Sequence, residues 1–226
     1  NATSVDVEVV VSDLIRRSGM PYPQEWTVNL TFQGSLDHGY IRKERMDPEF
    51  LFRHFGDASD AGNFYRALAP ENLGDQGNLE YFGPSEDPED YRPFYEKRAN
   101  EEEDDFTDII ELCRTFDPVA TPDPVFADRL AELIDANEWA RFFALQSLIS
   151  NNDGSIQTGT AEDYLAYRAP APSNRPDAGK WLLLPWDIEE SFADPQERLF
   201  RTSVAAARRF LLNPRFTGLY YANLDD

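Results

Sequence analysis

Cysteine is nearly absent from this chain of 226 residues: Cys113 stands alone, which excludes an intrachain disulfide framework and a cysteine-based zinc site. Histidine is as scarce, and His38 and His54 are too few for a histidine-rich metal centre. No run of 18 apolar residues occurs, so no segment reads as a membrane-spanning helix. Lysine is confined to Lys43, Lys97 and Lys180, and the other basic residues are arginines. Internal repeats are missing, as are the GxxxxGK[ST] phosphate loop, the GxSxG elbow and the HExxH zinc motif. An EF-hand reading of Asn151-Asn152-Asp153-Gly154 fails. With Gly154 sixth, the first and twelfth positions are Ile149 and Thr160, and neither carries a carboxylate.

Acid is abundant instead. Forty-two Asp and Glu against 21 Lys and Arg give a net charge of −21, a field that repels nucleic acid and anionic lipid and favours cations and basic partners. Two settings fit this composition equally: a high-salt environment, or an acidic secreted or surface protein. A hydrophobic fraction of 41%, with 13% aromatics, supplies a core, so global disorder is excluded. The length fits one large domain or two small lobes. The chain opens at Asn1 with neither methionine nor a signal-like apolar segment, and is expected to be a processed or truncated piece.

Periodicity gives the elements. Val9 to Arg17 places apolar residues 10, 11, 14 and 15 together on a helix, closed by Gly19. Trp26 to Phe32 alternates with period two, and Gly39 to Lys43 is expected to pair back on it. Asp47-Pro48-Glu49 opens a short helix through Phe55. Residues 56–100 read mostly as loop with aromatic insertions. The acid run Glu101 to Asp105 is expected at a helix N-terminus. Helices follow over Phe126 to Ile134 and Asn137 to Ile149, the second apolar around most of its circumference and therefore buried. Two strands, Asp163 to Tyr167 and Lys180 to Trp186, form an expected hairpin before a further helix over Ser203 to Leu212.

Chemistry points to three carboxylates. Asp153 leaves the buried helix, Asp163 begins the first strand of the hairpin, and Asp187 ends its Trp-flanked second strand. The hairpin brings together residues that lie up to 34 positions apart. Carboxylates clustered at strand and loop ends ligate hard cations or act as general bases. The plain alternative is capping, with Asp187 as an N-cap and Glu190 three residues on.

These residues also carry a resemblance. Tyr40-Ile41-Arg42-Lys43-Glu44-Arg45-Met46-Asp47, Phe50 to Gly56, and Gly62-Asn63-Phe64-Tyr65-Arg66 resemble the Y-x-x-x-x-E-x-x-D, FL-x-x-x-FG and GNLYK blocks of the spore-coat protein H (CotH) kinase family. Leu148 to Gly154 is similar to its L-x-x-NWDG motif, and Gly179-Lys180-Trp181 to Asp187-Ile188-Glu189 to its GKW…PWDLD. The chain departs from the pattern at Asn152 for tryptophan, Asp163 for asparagine and Glu189 for the final aspartate.

The resemblance implies an α+β, atypical protein-kinase-like fold. Residues 1–47 would form a partial β-containing N-lobe and hinge. Residues 48–226 would form a mainly helical C-lobe, with the aromatic-rich loops 56–100, a helical core 101–226 and the acidic hairpin. It further implies ATP- and Mg²⁺- or Mn²⁺-dependent phosphorylation of serine on protein substrates, basic ones being favoured by the charge, in a secreted or surface setting. Carried over, Asp153 orients the attacking hydroxyl, Asp187 and Asp163 hold metal, and Arg66 and Glu44 contact the nucleotide. Two other readings stay open: a non-catalytic surface or adhesion protein that keeps the fold, and a calcium-dependent binding module using the same acids.

Overall fold

The strongest local signals become the expected elements in a computed structural model that describes residues 4–56, 62–70, 77–151, 155–158, 164–171 and 175–225. Helix α1 (Ser4–Arg17) buries Val11 and Ile15 and ends as Gly19 takes a left-handed φ of 79°. Strands β1 (Glu25–Phe32) and β2 (Ser35–Lys43) pair antiparallel, from Glu25 against Lys43 to Phe32 against Ser35. Helix α2 (Pro48–Phe55) starts where the Asp47 carboxylate accepts the N–H groups of Glu49 and Phe50 at 3.1 and 3.3 Å. Proline at the first helical position removes a donor that would have had no partner there.

The stretch read mainly as loop contains more structure than expected. It holds β3 (Asn63–Ala67), α3 (Pro88–Tyr91) and β4 (Tyr95–Ala99). Strand β3 lies inside a four-stranded antiparallel sheet completed by β5 (Tyr164–Arg168) and β6 (Trp181–Pro185), in the order β4-β3-β5-β6. Alternation could not reveal β3, because Phe64 and Tyr65 face opposite sides and both are buried. Gly62 allows the close pairing with β5: a Cβ there would come within 2.5 Å of the Arg168 carbonyl oxygen.

The sheet is covered on both faces. On one, Tyr65, Tyr164, Ala166, Trp181 and Leu183 join the main core with α4 (Thr107–Phe116), α5 (Asp123–Leu133) and α6 (Ala136–Leu148). On the other, Phe64, Leu165, Tyr167, Leu182 and Leu184 pack with Met46, Phe50 and Leu51 of the α2 region. Trp139 of α6 donates from its indole N–H to the Trp181 carbonyl at 2.9 Å, locking the buried helix to the hairpin strand. Short α7 (Ser155–Thr158) and then α8 (Ala205–Leu211) and α9 (Pro214–Asp225) complete the helical side, and α9 extends the C-terminal helical region beyond its expected end. The protein is α+β. Among the described residues no helix is long and apolar enough to cross a membrane.

The acid run does not open a helix. Glu101–Glu103 form a single 3-10 turn flanked by left-handed Asn100 and Asp104, and α4 begins only at Thr107. Side-chain competition explains the shift. Asp104 takes the Arg92 guanidinium at 2.7 Å, and the Asp105 carboxylate accepts the Thr107 N–H at 2.9 Å.

Candidate functional site

At the end of β6 the backbone turns sharply. Pro185 is the last strand residue, Trp186 is half-buried, and Asp187 adopts a φ of 37° with its side chain in solvent. Ile188, fully buried, anchors the turn from the next position. A non-glycine residue in the left-handed region costs on the order of 1 kcal/mol and persists where surrounding structure holds it. Here the holding group comes from the exit of α6: the Asn151 side-chain amide donates to the Asp187 carbonyl at 3.3 Å. The Asn151 carbonyl in turn accepts from Arg201 at 2.7 Å, and the Ile149 carbonyl accepts the Phe192 N–H at 2.6 Å. The α6 exit and the β6 tip therefore converge. No helix follows Asp187, so its reading as an N-cap with Glu190 is overturned; residues 189–192 form turns.

Asp153 and Asp163 lie outside the described residues. The described residues that flank them in the chain are Asn151 and Ser155 for the first and Thr158 and Tyr164 for the second. Among the described residues no three His, Cys, Asp or Glu side chains gather as a metal site. Asp187 does face another acid: its charge, followed by burial and the charge of Glu8, raises the pKa of Glu189 above the ordinary carboxylate value. Two exposed carboxylates in mutual repulsion are a donor set suited to a hard divalent cation.

Around this acid pair lies a second cluster, absent from the site residues expected from sequence. Lys43, at the end of β2, is ion-paired with Glu8 of α1 and lies 3.6 Å from the Glu25 carboxylate of β1. Its Nζ also sits 5.8 Å from the Tyr22 ring centre. Burial raises the Glu25 pKa although Ser12 and Lys43 pull it the other way. Burial, then the charges of Glu25, Glu8 and Asp187, hold the Tyr22 hydroxyl protonated well above its usual range. Lys43 is thus a cation gripped by acids from two elements, in the same electrostatic neighbourhood as Asp187. Thirty-five positions separate Glu8 from Lys43, and no local spacing signals their pairing.

The two residues expected at the nucleotide differ. Arg66 projects from β3 over the Trp186 ring at 5.4 Å, next to Asp187, with Arg98 on the same ring at 6.0 Å. The Arg66 Nε is buried without a hydrogen-bond partner, a notable state in a chain with 42 acidic residues. Its neighbours in the Gly62-to-Arg66 block serve the fold: Asn63 and Tyr65 donate to the buried Asp108 carboxylate, each at 2.8 Å. Glu44 is held by protein donors, accepting the Gln24 N–H at 3.0 Å and forming an ion pair with Arg53.

With this geometry in place, the comparison with known families is decisive: the profile described as CotH kinase protein matches residues 7–222. The chain belongs to the CotH kinase family. No curated protein matches it. Family membership makes this a kinase-like domain and implies ATP use in general, with a protein as the kind of substrate such an enzyme modifies. Within the CotH match fall Glu8, Lys43, Arg66, Asn151 and Asp187, the groups assembled at the β6 tip.

Proposed function

We propose that this CotH-family domain transfers the γ-phosphoryl group of ATP to serine hydroxyls of protein substrates, with Mg²⁺ or Mn²⁺. The observation that carries the reading is the strained, solvent-facing Asp187, held beside the α6 exit by Asn151 and flanked by Glu189. Asp187 and Asp163 would hold the divalent ion, which when bound neutralises phosphate charge. Arg66, braced on Trp186 with its Nε unbonded among the described residues, takes a phosphate oxygen; Lys43, oriented by Glu8 and Glu25, takes another. Glu44, fixed by Arg53 and Gln24, sets the segment at the end of β2 against which the nucleotide rests. Asp153 accepts the serine proton as its oxygen bonds to the γ-phosphorus and the bond to the β-phosphate oxygen breaks, releasing ADP.

The partition of residues 1–47 as a partial N-lobe and hinge and 48–226 as a C-lobe belongs to the same proposal, as does a secreted or surface setting for the substrates. The acidic exterior favours basic protein segments. The test is radiolabelled ATP with Mg²⁺ or Mn²⁺ and a serine-containing basic protein. Incorporation is expected to fall by at least about a hundredfold in Asp187→Asn and in Asp153→Asn. Nucleotide binding without any phosphate transfer in the wild type would defeat the catalytic reading and favour a non-catalytic member of the family.

A further inference from the structure

Away from the β6 tip, a concave cavity of about 420 Å³ opens between α1, α6 and α9. Its wall is made by Leu14 and Arg17 of α1 and by Arg141, Leu145, Leu148 and Ile149 at and beyond the C-terminal half of α6. Leu148 is 50% exposed and Leu14 39%, on helices that bury Phe142, Phe143 and Leu145 in one case and Val11 and Ile15 in the other. One turn before Leu14, Val10 is 52% exposed, extending the apolar stripe along α1. Single exposed aliphatic residues are ordinary; aliphatic residues of two helices facing one hollow are not.

The charge of the hollow opposes that of the molecule. The chain carries twice as many acids as bases, yet among the described residues two arginines and no acid line this cavity. Arg17 is on the rim, tied only to Asp13 of its own helix in an exposed pair at 2.7 Å. Arg141 spans one side, its Nε donating to Asn223 of α9 at 3.4 Å, and no carboxylate among the described residues lies within ion-pair distance of it. On its other side Arg141 lines a second hollow with Asp135, Glu138 and Asp177, so it stands between an acidic hollow and this one.

We propose that this groove receives an acidic segment of a partner protein, whose aliphatic side chains seat between Leu14 and Leu148 and whose carboxylates pair with Arg17 and Arg141. A volume of this size accommodates a few side chains of a peptide. An anionic bilayer shares the chemistry, but its broad surface would lie against many of the acids of a molecule of net charge −21. A short peptide meets that same field screened beyond about 8 Å in physiological salt and is governed by the charges lining the groove. A second copy of the chain meets the same long-range repulsion. The segment would rest on the two elements that supply Glu8 and Asn151 to the β6 tip, yet its binding does not depend on phosphoryl transfer.

A phage-displayed library of random dodecapeptides, panned on the full chain after subtraction on Leu148→Asp, tests this directly. Enrichment of sequences combining several Asp or Glu with Leu, Ile or Phe is expected. Their fluorescence-anisotropy affinities should fall at least about tenfold in Leu148→Asp and in Arg17→Glu, with unchanged circular dichroism and melting temperature. Both positions are exposed, so loss of binding would not reflect unfolding. The proposal is overturned by enrichment of basic or uncharged sequences, or by none beyond the Leu148→Asp background. It is equally overturned if phosphatidylserine vesicles bind while peptides do not, or if Leu148→Asp abolishes a self-association seen by sedimentation.

Discussion

Two antiparallel hairpins in this chain stand in opposite relation to their sequences. The β1–β2 ribbon alternates apolar and polar residues as a half-buried sheet should, yet it leaves Trp26 at 47% and Phe32 at 72% exposure. The β5–β6 pair shows no alternation, and every one of its residues except Arg168 is buried. Alternation thus describes which side chains share a face, while burial depends on what covers that face. The covered hairpin carries Asp187 at its tip. A rigid, doubly packed strand can hold a strained residue in place, and a ribbon open to solvent on its flanks holds the side chain at its end, Lys43, through ion pairs to Glu8 and Glu25 beside the Tyr22 ring.

The contrast can be broken most forcefully in the buried hairpin. Trp181→Ala removes a fully buried indole while leaving the backbone carbonyl that accepts from Trp139, and is expected to destabilise the fold by about 3–5 kcal/mol in denaturant titrations. At the ribbon's end, Lys43→Met is expected to lower kcat by about ten- to a hundredfold, with partial rescue in Lys43→Arg and a preserved melting transition. An unchanged kcat would detach β2 from the site.

Glu138 offers a pH test beside β6. Its Oε2 accepts the Leu183 N–H at 3.1 Å, its Oε1 is shut off from solvent without a partner, and burial raises its pKa well above the ordinary value. A carboxyl with a raised folded-state pKa contributes stability that is complete below its unfolded pKa and is lost as pH rises through the folded one. Glu138→Gln should therefore match the wild type under acid conditions and exceed it by roughly 1–2 kcal/mol at alkaline pH, read as melting temperatures between about pH 5 and pH 9. Parallel pH curves for the two proteins would show Glu138 to be ionised throughout. The smallest effect is expected on the ribbon: Phe32→Ser should shift stability by less than about 0.5 kcal/mol, and a larger loss would mean that its exposed face is packed in solution.

Much of the fold is legible from local chemistry. Asp47-Pro48 sets the start of α2 within one residue, and the apolar circumference of residues 137–149 correctly marks α6 as buried. β3 is hidden because Phe64 and Tyr65 are buried on opposite faces and leave no periodic signal, and the acid run misleads because Asp104 is drawn to Arg92 rather than to a helix start. For the candidate site, the Trp-flanked strand ends just before Asp187, and Arg66 lies over the adjacent Trp186 ring. Lys43, Glu8 and Glu25 went unread because they come from three elements whose meeting depends on how α1 packs against the ribbon.

By itself the sequence determined the class of the molecule: its helices and strands, its acid excess, and the ordered motifs that place it in the CotH kinase family, since these follow from periodicity, composition and residue order. Only the tertiary structure decided that Asp187 would be strained and held by Asn151, that Arg66 would lie over Trp186 with its Nε unbonded among the described residues, and that Lys43 would be enclosed by acids. Such features arise from distances between chain-remote groups and from their shared desolvation, which no local pattern encodes.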